Sequence, residues 1–220
     1  MKNKIIIITL IVLVIILAVL TSFYFVRLNK PSINSPKNTT QQAPVENQGE
    51  TDSGAGLNNQ TNIEQLQNKL VTDDFEVTLP AGWKKTAPVM GASAIAVNAD
   101  ERLNDPAAQK INFRSYFAVS YDMLQGKSLS EYLQTVKNQL LQTISNVVFA
   151  NEKDIMINNR SARAIEAELI QQGVNYKILM VVVAGKGDDV WVISFNTIKS
   201  SWDEYKETFS NIAKSFSLKK

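Results

Sequence analysis

The sequence predicts an α+β fold: an antiparallel sheet of about seven strands flanked by helices, preceded by one transmembrane helix. Three observations lead there. An uncharged apolar run fills residues 5–26. From about residue 71 onward, apolar residues recur with period two in most segments, the signature of half-buried strands. Two further stretches, opening near Ser128 and Ser201, switch to the spacing of amphipathic helices.

The apolar run is 22 residues of mostly Ile, Leu, Val and aromatic side chains. As a helix it would reach roughly 33 Å, enough for a hydrocarbon core of about 30 Å. No polar face can be drawn on it, so a buried core helix fits poorly. A cleaved signal peptide is the rival, with Lys2 and Lys4 as its charged start. However, the run exceeds the usual apolar region of about 7–15 residues, and no A-x-A pattern follows. A retained signal anchor is the better reading, with Phe23, Tyr24 and Phe25 at the interface. Basic residues flank both ends. Residues 1–4 are a short tail, which suits a cytoplasmic N-terminus, and long C-terminal domains cross regardless of charge. The expected localisation is a single-pass membrane protein with an extracytoplasmic C-terminal domain.

Residues 27–70 read as a disordered polar linker. Between 31 and 60, Asn, Gln, Ser, Thr, Gly and Pro supply 21 of 30 positions, and only five are apolar. Such a stretch buries too little surface to offset its ordering entropy. Residues 61–70 could add a short helical turn before the domain. Of the 23 basic and 21 acidic residues in the chain, six and four precede Val71, which leaves 17 of each sign in the domain 71–220. A neutral domain has no general attraction for phosphate backbones, so nucleic acid is not an expected partner.

Within the domain, Phe75, Val77 and Leu79 alternate with Glu76 and Thr78 until Pro80. Residues 92–97 form a second, small-residue strand. Phe113, Ser115, Phe117, Val119 and Tyr121 alternate through a third. Leu129, Tyr132, Leu133, Val136, Leu140 and Ile144 then follow helical spacing behind the capping box Ser128-x-x-Glu131. Residues 147–157 read as a strand, Asn158-Asn159 as a tight turn and residues 161–171 as its partner. Gln172-Gly173 turns the chain into 176–184, apolar on both faces and so central. The turn 185–189 leads into 190–196. A last helix opens with the box Ser201-x-x-Glu204 and carries the stripe Trp202, Tyr205, Phe209, Ile212 and Phe216.

This layout resembles the PsbP-like family, which includes the extrinsic subunit of photosystem II and bacterial surface lipoproteins of unknown role. The resemblance lies in Phe75-Glu-Val-Thr-Leu-Pro80-Ala-Gly82-Trp83 and the Ser-Leu-Ser-Glu-Tyr-Leu helix start at Ser128. It continues in Asn158-Asn159-Arg160-Ser161-Ala162, Trp191-Val-Ile-Ser-Phe195, Ser201-Trp202, Phe209 and Ser215-Phe216, covering nearly all of residues 72–217. The family's turn commonly carries Gly where this chain has Asn159. The resemblance implies an exported binding or assembly module and implies no reaction. The photosystem role is not carried over, since nothing like a photosynthetic targeting segment precedes the domain.

The sequence contains no Cys and no His. That excludes disulfides, a lipid-modified cysteine, Cys/His zinc sites, Cys nucleophiles and the Ser-His-Asp triad. Ser217-x-x-Lys220 has dyad spacing but sits at the chain's end. Gly185-Lys186-Gly187 lacks the spacing of a phosphate loop, and Asp188-Asp189 reads as turn chemistry. Asp100, Glu101 and Asp105 are the candidate ligands for a hard cation, with solvated loop acids as the plainer reading. Trp83 is a candidate ligand or partner contact, with core packing the plainer reading. No residue is assigned a catalytic role and no cofactor is implied. The expectation is a membrane-tethered extracytoplasmic binding or assembly module without catalysis, its partners the membrane through residues 5–26 and another surface protein. The alternative is an extracytoplasmic enzyme working with carboxylates alone, for instance on glycans.

Overall fold

The computed structural model describes residues 68–89 and 91–219, and these described residues run through ten strands and three helices. They are β1 (Lys69–Val71), β2 (Phe75–Thr78), β3 (Trp83–Thr86), β4 (Ala94–Asn98), α1 (Pro106–Lys110), β5 (Tyr116–Met123), α2 (Leu129–Thr143), β6 (Val148–Ile157), β7 (Arg160–Gln171), β8 (Val174–Ala184), β9 (Asp189–Ile198), α3 (Trp202–Ser215) and β10 (Ser217–Leu218). Seven strands form one antiparallel sheet in the order β3-β4-β5-β9-β8-β7-β6, and β1-β2-β10 form a smaller one.

The β6 to β9 meander follows from turns that the sequence can make. Asn158 and Asn159 take φ of 46° and 62°, and Gln172 and Gly173 take 52° and 78°. Paired positive φ values match the right-handed twist of the flanking strands, and Asn tolerates them well. β8 is apolar on both faces because both are covered. Tyr176, Ile178, Met180 and Val182 join one core layer with Tyr132, Leu133, Val136 and Leu140 of α2. Val181 and Val183 join the other, with Tyr205, Phe209 and Ile212 of α3 and with Leu70, Phe75 and Val77 of the small sheet.

Helix α2 carries the expected capping box: Ser128 accepts from the Glu131 N–H, and Glu131 accepts from the Ser128 N–H (2.8 Å). The box expected at Ser201 does not form. Ser201 takes φ −96° and ψ 1° without a side-chain cap, because a 3-10 turn over Lys199–Ser201 already leads into α3. The third strand begins later than its alternation suggested. Phe113 donates its N–H to Ala108 (3.0 Å) after Asn112 at φ 48°, so its ring enters the α2 layer, while Phe117 enters the α3 layer.

The sequence puts residues up to 70 in the linker, yet Lys69–Val71 forms a strand on β2, with Leu70 fully buried. β3 was missed because Lys84-Lys85 breaks any alternation. The apolar run 5–26, and the linker up to residue 67, lie outside the described residues. No helix among the described residues is long and apolar enough to cross a membrane.

Candidate functional site

A cleft of about 870 Å3 opens where the β4–β5 connection, the start of α3 and the Gly82 turn meet. Asp100, Glu101 and Asp105, distant in purpose though near in sequence, all line it, and Glu204 joins from α3. Among the described residues Arg102 is the sole Lys or Arg on its wall.

Each carboxylate has a specific placement. Asp105 is the N-cap of α1, accepting from the Ala108 N–H (2.8 Å) ahead of Pro106 at the first helical position. Glu101 turns inward. It accepts from the Ser115 N–H and from the Ser115 hydroxyl (2.7 Å). Thr197 Oγ1 lies 2.7 Å from Ser115 Oγ. With the single Ser115 proton given to Glu101, Thr197 must be the donor of that pair. Ser115 and Thr197 are both fully buried, so this chain of bonds satisfies groups that would otherwise be costly orphans.

Asp100 lies over the Gly82 turn. Gly82 has φ 80°, a conformation that favours glycine, and a Cβ there would approach Asp100 Oδ2 to 3.0 Å. Asn98 accepts from the Asp100 N–H (3.2 Å) and donates through Nδ2 to Tyr205 Oη (2.7 Å). Burial pushes the Tyr205 phenol well up from its ordinary range, and Glu101 beside it adds to the effect. Three residues of the cleft wall are thereby tied down, Asn98 to Tyr205 and Glu101 to the buried pair Ser115 and Thr197 behind it. Two of the three candidate cation ligands, Glu101 and Asp105, spend oxygen lone pairs on backbone N–H groups. Among the described residues no group of three acids has the arrangement of a metal site.

Trp83 is not presented to solvent. Only 7% exposed, its ring packs against Phe117 (5.8 Å), Phe209 (6.2 Å) and Tyr205 (6.4 Å), so it belongs to the core. Asp188 holds the neighbouring turn, accepting from the Gln125 and Gly126 N–H groups at 2.9 and 3.1 Å. Sequence reasoning missed Asn98, Ser115, Thr197 and Tyr205 as partners of this network and Glu204 as a residue of the cleft wall. The available signal was Ser115, just before β5, and Thr197, near the end of β9, polar residues beside long apolar runs.

No family profile matches the sequence, and no curated protein is similar to it in sequence. Solved structures do share its fold. Cyanobacterial PsbP (CyanoP) from Synechocystis sp. PCC 6803 superposes with a TM-score of 0.51 at 16% identity, over 76% of this chain and 98% of that one. LpqN of Mycobacterium tuberculosis, described as involved in cell envelope biogenesis, gives 0.51 at 12% identity over 66% and 83%. The fold is PsbP-like.

Proposed function

We propose that the chain is a membrane-tethered, extracytoplasmic binding or accessory module without catalytic activity. The observation that carries this reading is the commitment of the cleft's inner acids to structure. Glu101 satisfies Ser115 and Asp105 caps α1, so each of these acids has a structural reason for its place in the cleft. The apolar run at 5–26 supports the tether. The shared fold with LpqN, an envelope-biogenesis protein by its description, supports an accessory role.

The second reading, a carboxylate-dependent enzyme acting for instance on glycans, is favoured by one observation: four carboxylates line a single cleft. Assays across ester, glycoside, phosphate and peptide substrates separate the two. No turnover is expected. Turnover that survives purification and vanishes on changing Asp100, Glu101, Asp105 or Glu204 would establish the enzyme instead. For the tether, membranes washed with carbonate and high salt should retain the full chain. Recovery of a soluble form beginning near residues 21–26 would identify a cleaved signal.

A further inference from the structure

On the opposite side of α3 from the cleft, a groove of about 400 Å3 runs between the helix and the sheet edge at β6. Its floor is apolar, built from Ile155, Ala164, Leu179 and Val181. Small Ala164 leaves the depth, and α3 stops short of covering β6. Its walls are basic. Lys206 and Lys214 stand on α3 two turns apart with Ser210 between them, and exposed Lys153 faces them from β6. Two turns of helix separate the Lys206 and Lys214 positions by roughly 12 Å.

These cations are poorly compensated. Among the described residues Lys153 and Lys214 form no ion pair, and Lys206 pairs only with Asp203, a solvent-exposed neighbour, at 2.8 Å. The one acid on the groove wall among the described residues, Glu166, is held by Lys177 at 3.0 Å. The groove therefore presents an excess of positive charge around an apolar strip.

The geometry points to this groove as the docking site for an extended acidic segment of a partner protein, with an apolar side chain set between two acids. In an extended chain, side chains at i, i+2 and i+4 share a face, and i to i+4 spans about 13 Å. Acids at i and i+4 thus match Lys206 and Lys214, and the apolar side chain at i+2 meets the floor. A single-headgroup lipid would satisfy the cations at one end and lay its acyl chain against those at the other. Strand addition along the whole of β6 is interrupted by its bulge between Ala150 and Lys153, so side-chain contacts in the groove carry the recognition. This assigns a partner chemistry to the binding role proposed above and rests on that reading.

The test uses the full-length chain in phosphatidylcholine nanodiscs and two fluorescein-labelled peptides, TETITET and TQTITQT, followed by anisotropy. TETITET should bind saturably and more weakly as salt rises. TQTITQT should bind about fivefold more weakly or worse, and K206Q, K214Q and K153Q should each cost about twofold to fivefold. The three lysines are exposed, so these variants should fold normally. Equal binding of the two peptides, no saturable binding of TETITET, or indifference to the K153Q/K206Q/K214Q triple variant would overturn the inference. So would competition-proof binding of phosphatidylglycerol vesicles at the same lysines. Such failures leave the accessory reading intact, because turnover and membrane retention judge that reading separately.

Discussion

The hydroxyl of Tyr132 donates a 2.9 Å hydrogen bond to Oδ2 of Asp122, a carboxylate only 1% exposed. The bond ties α2 to β5 across the core, while Asp122 Oδ1 accepts from the Met123 N–H at 2.8 Å. Tyr132→Phe would keep the ring and leave a buried charged oxygen without its partner. Hydrogen bonds to charged groups contribute about 1.5–3 kcal/mol, so a loss of that size is expected in urea titration. A loss below about 0.5 kcal/mol would mean that water reaches Asp122.

Phe209 is the centre of the aromatic layer under α3. It is fully buried, with ring centroids 5.2 Å from Phe195 and 5.4 Å from Tyr205. Phe209→Ala should cost about 3–5 kcal/mol, through lost burial plus the cavity left behind. The denaturation midpoint should fall with little change in slope. A cost under about 1 kcal/mol would show that the layer closes over the gap.

The β6–β7 turn separates two adjacent asparagines. Asn158 Nδ2 donates to the Phe216 carbonyl (2.7 Å), joining the hairpin to the end of α3, while Asn159 contributes its φ of 62°. Asn158→Gly should therefore cost about 1 kcal/mol, the net value of one hydrogen bond. Asn159→Gly should be neutral within about 0.5 kcal/mol, since glycine adopts positive φ without strain. Equal losses at both positions would show that backbone conformation alone matters.

Much of this architecture was legible in the sequence, and for identifiable reasons. The turn at Asn158-Asn159, the Ser128 capping box and the two-faced strand β8 are local patterns with few alternative readings. Other features were not local. β3 carries Lys84-Lys85 and joins the sheet only because β4 supplies a partner. α1 is five residues long, too short for periodicity, although Asp105-Pro106 is an N-cap followed by a proline. The cleft network depends on Thr197 and Tyr205 meeting residues 82 and 107 positions earlier, which no spacing rule reports.

Charge pairs predict how stability follows pH. Burial pulls the Lys177 ammonium down from its ordinary value of 10.5, but the hydrogen bonds it donates to Glu168 and Glu166 outweigh that and raise it overall. A raised folded value stabilises below about 10.5, and that contribution disappears as pH rises through the folded value. Glu168 is lowered from 4.5 by hydrogen bonds from Lys177 and Lys199. Its contribution is present above about 4.5 and is lost as pH falls through the folded value. Tm should therefore be highest on the plateau between these limits. Lys177→Met should flatten the alkaline decline and lessen the acid one, with Lys199 still holding Glu168. An unchanged profile in that variant would refute the linkage.

The cleft acids allow the sharpest separation of structure from ligand binding. If Glu101 and Asp105 serve the fold, their removal should cost stability and calcium should be irrelevant. Ser115→Ala removes the hydroxyl that links Glu101 to Thr197, and stranding buried oxygens should cost about 1–3 kcal/mol. Asp105→Ala removes an N-cap and should cost about 1 kcal/mol, independently, since the two residues share no bond. Millimolar Ca2+ should move Tm by less than about 1 °C in the unaltered protein and in both variants. Calcium-dependent stabilisation has a definite form: binding to the folded state alone at a hundred times Kd adds about 2.7 kcal/mol. A shift of that order, abolished by Asp105→Ala or by Asp100→Asn, would make the loop a cation site. The capping and Ser115 contacts would then be the framework that positions it.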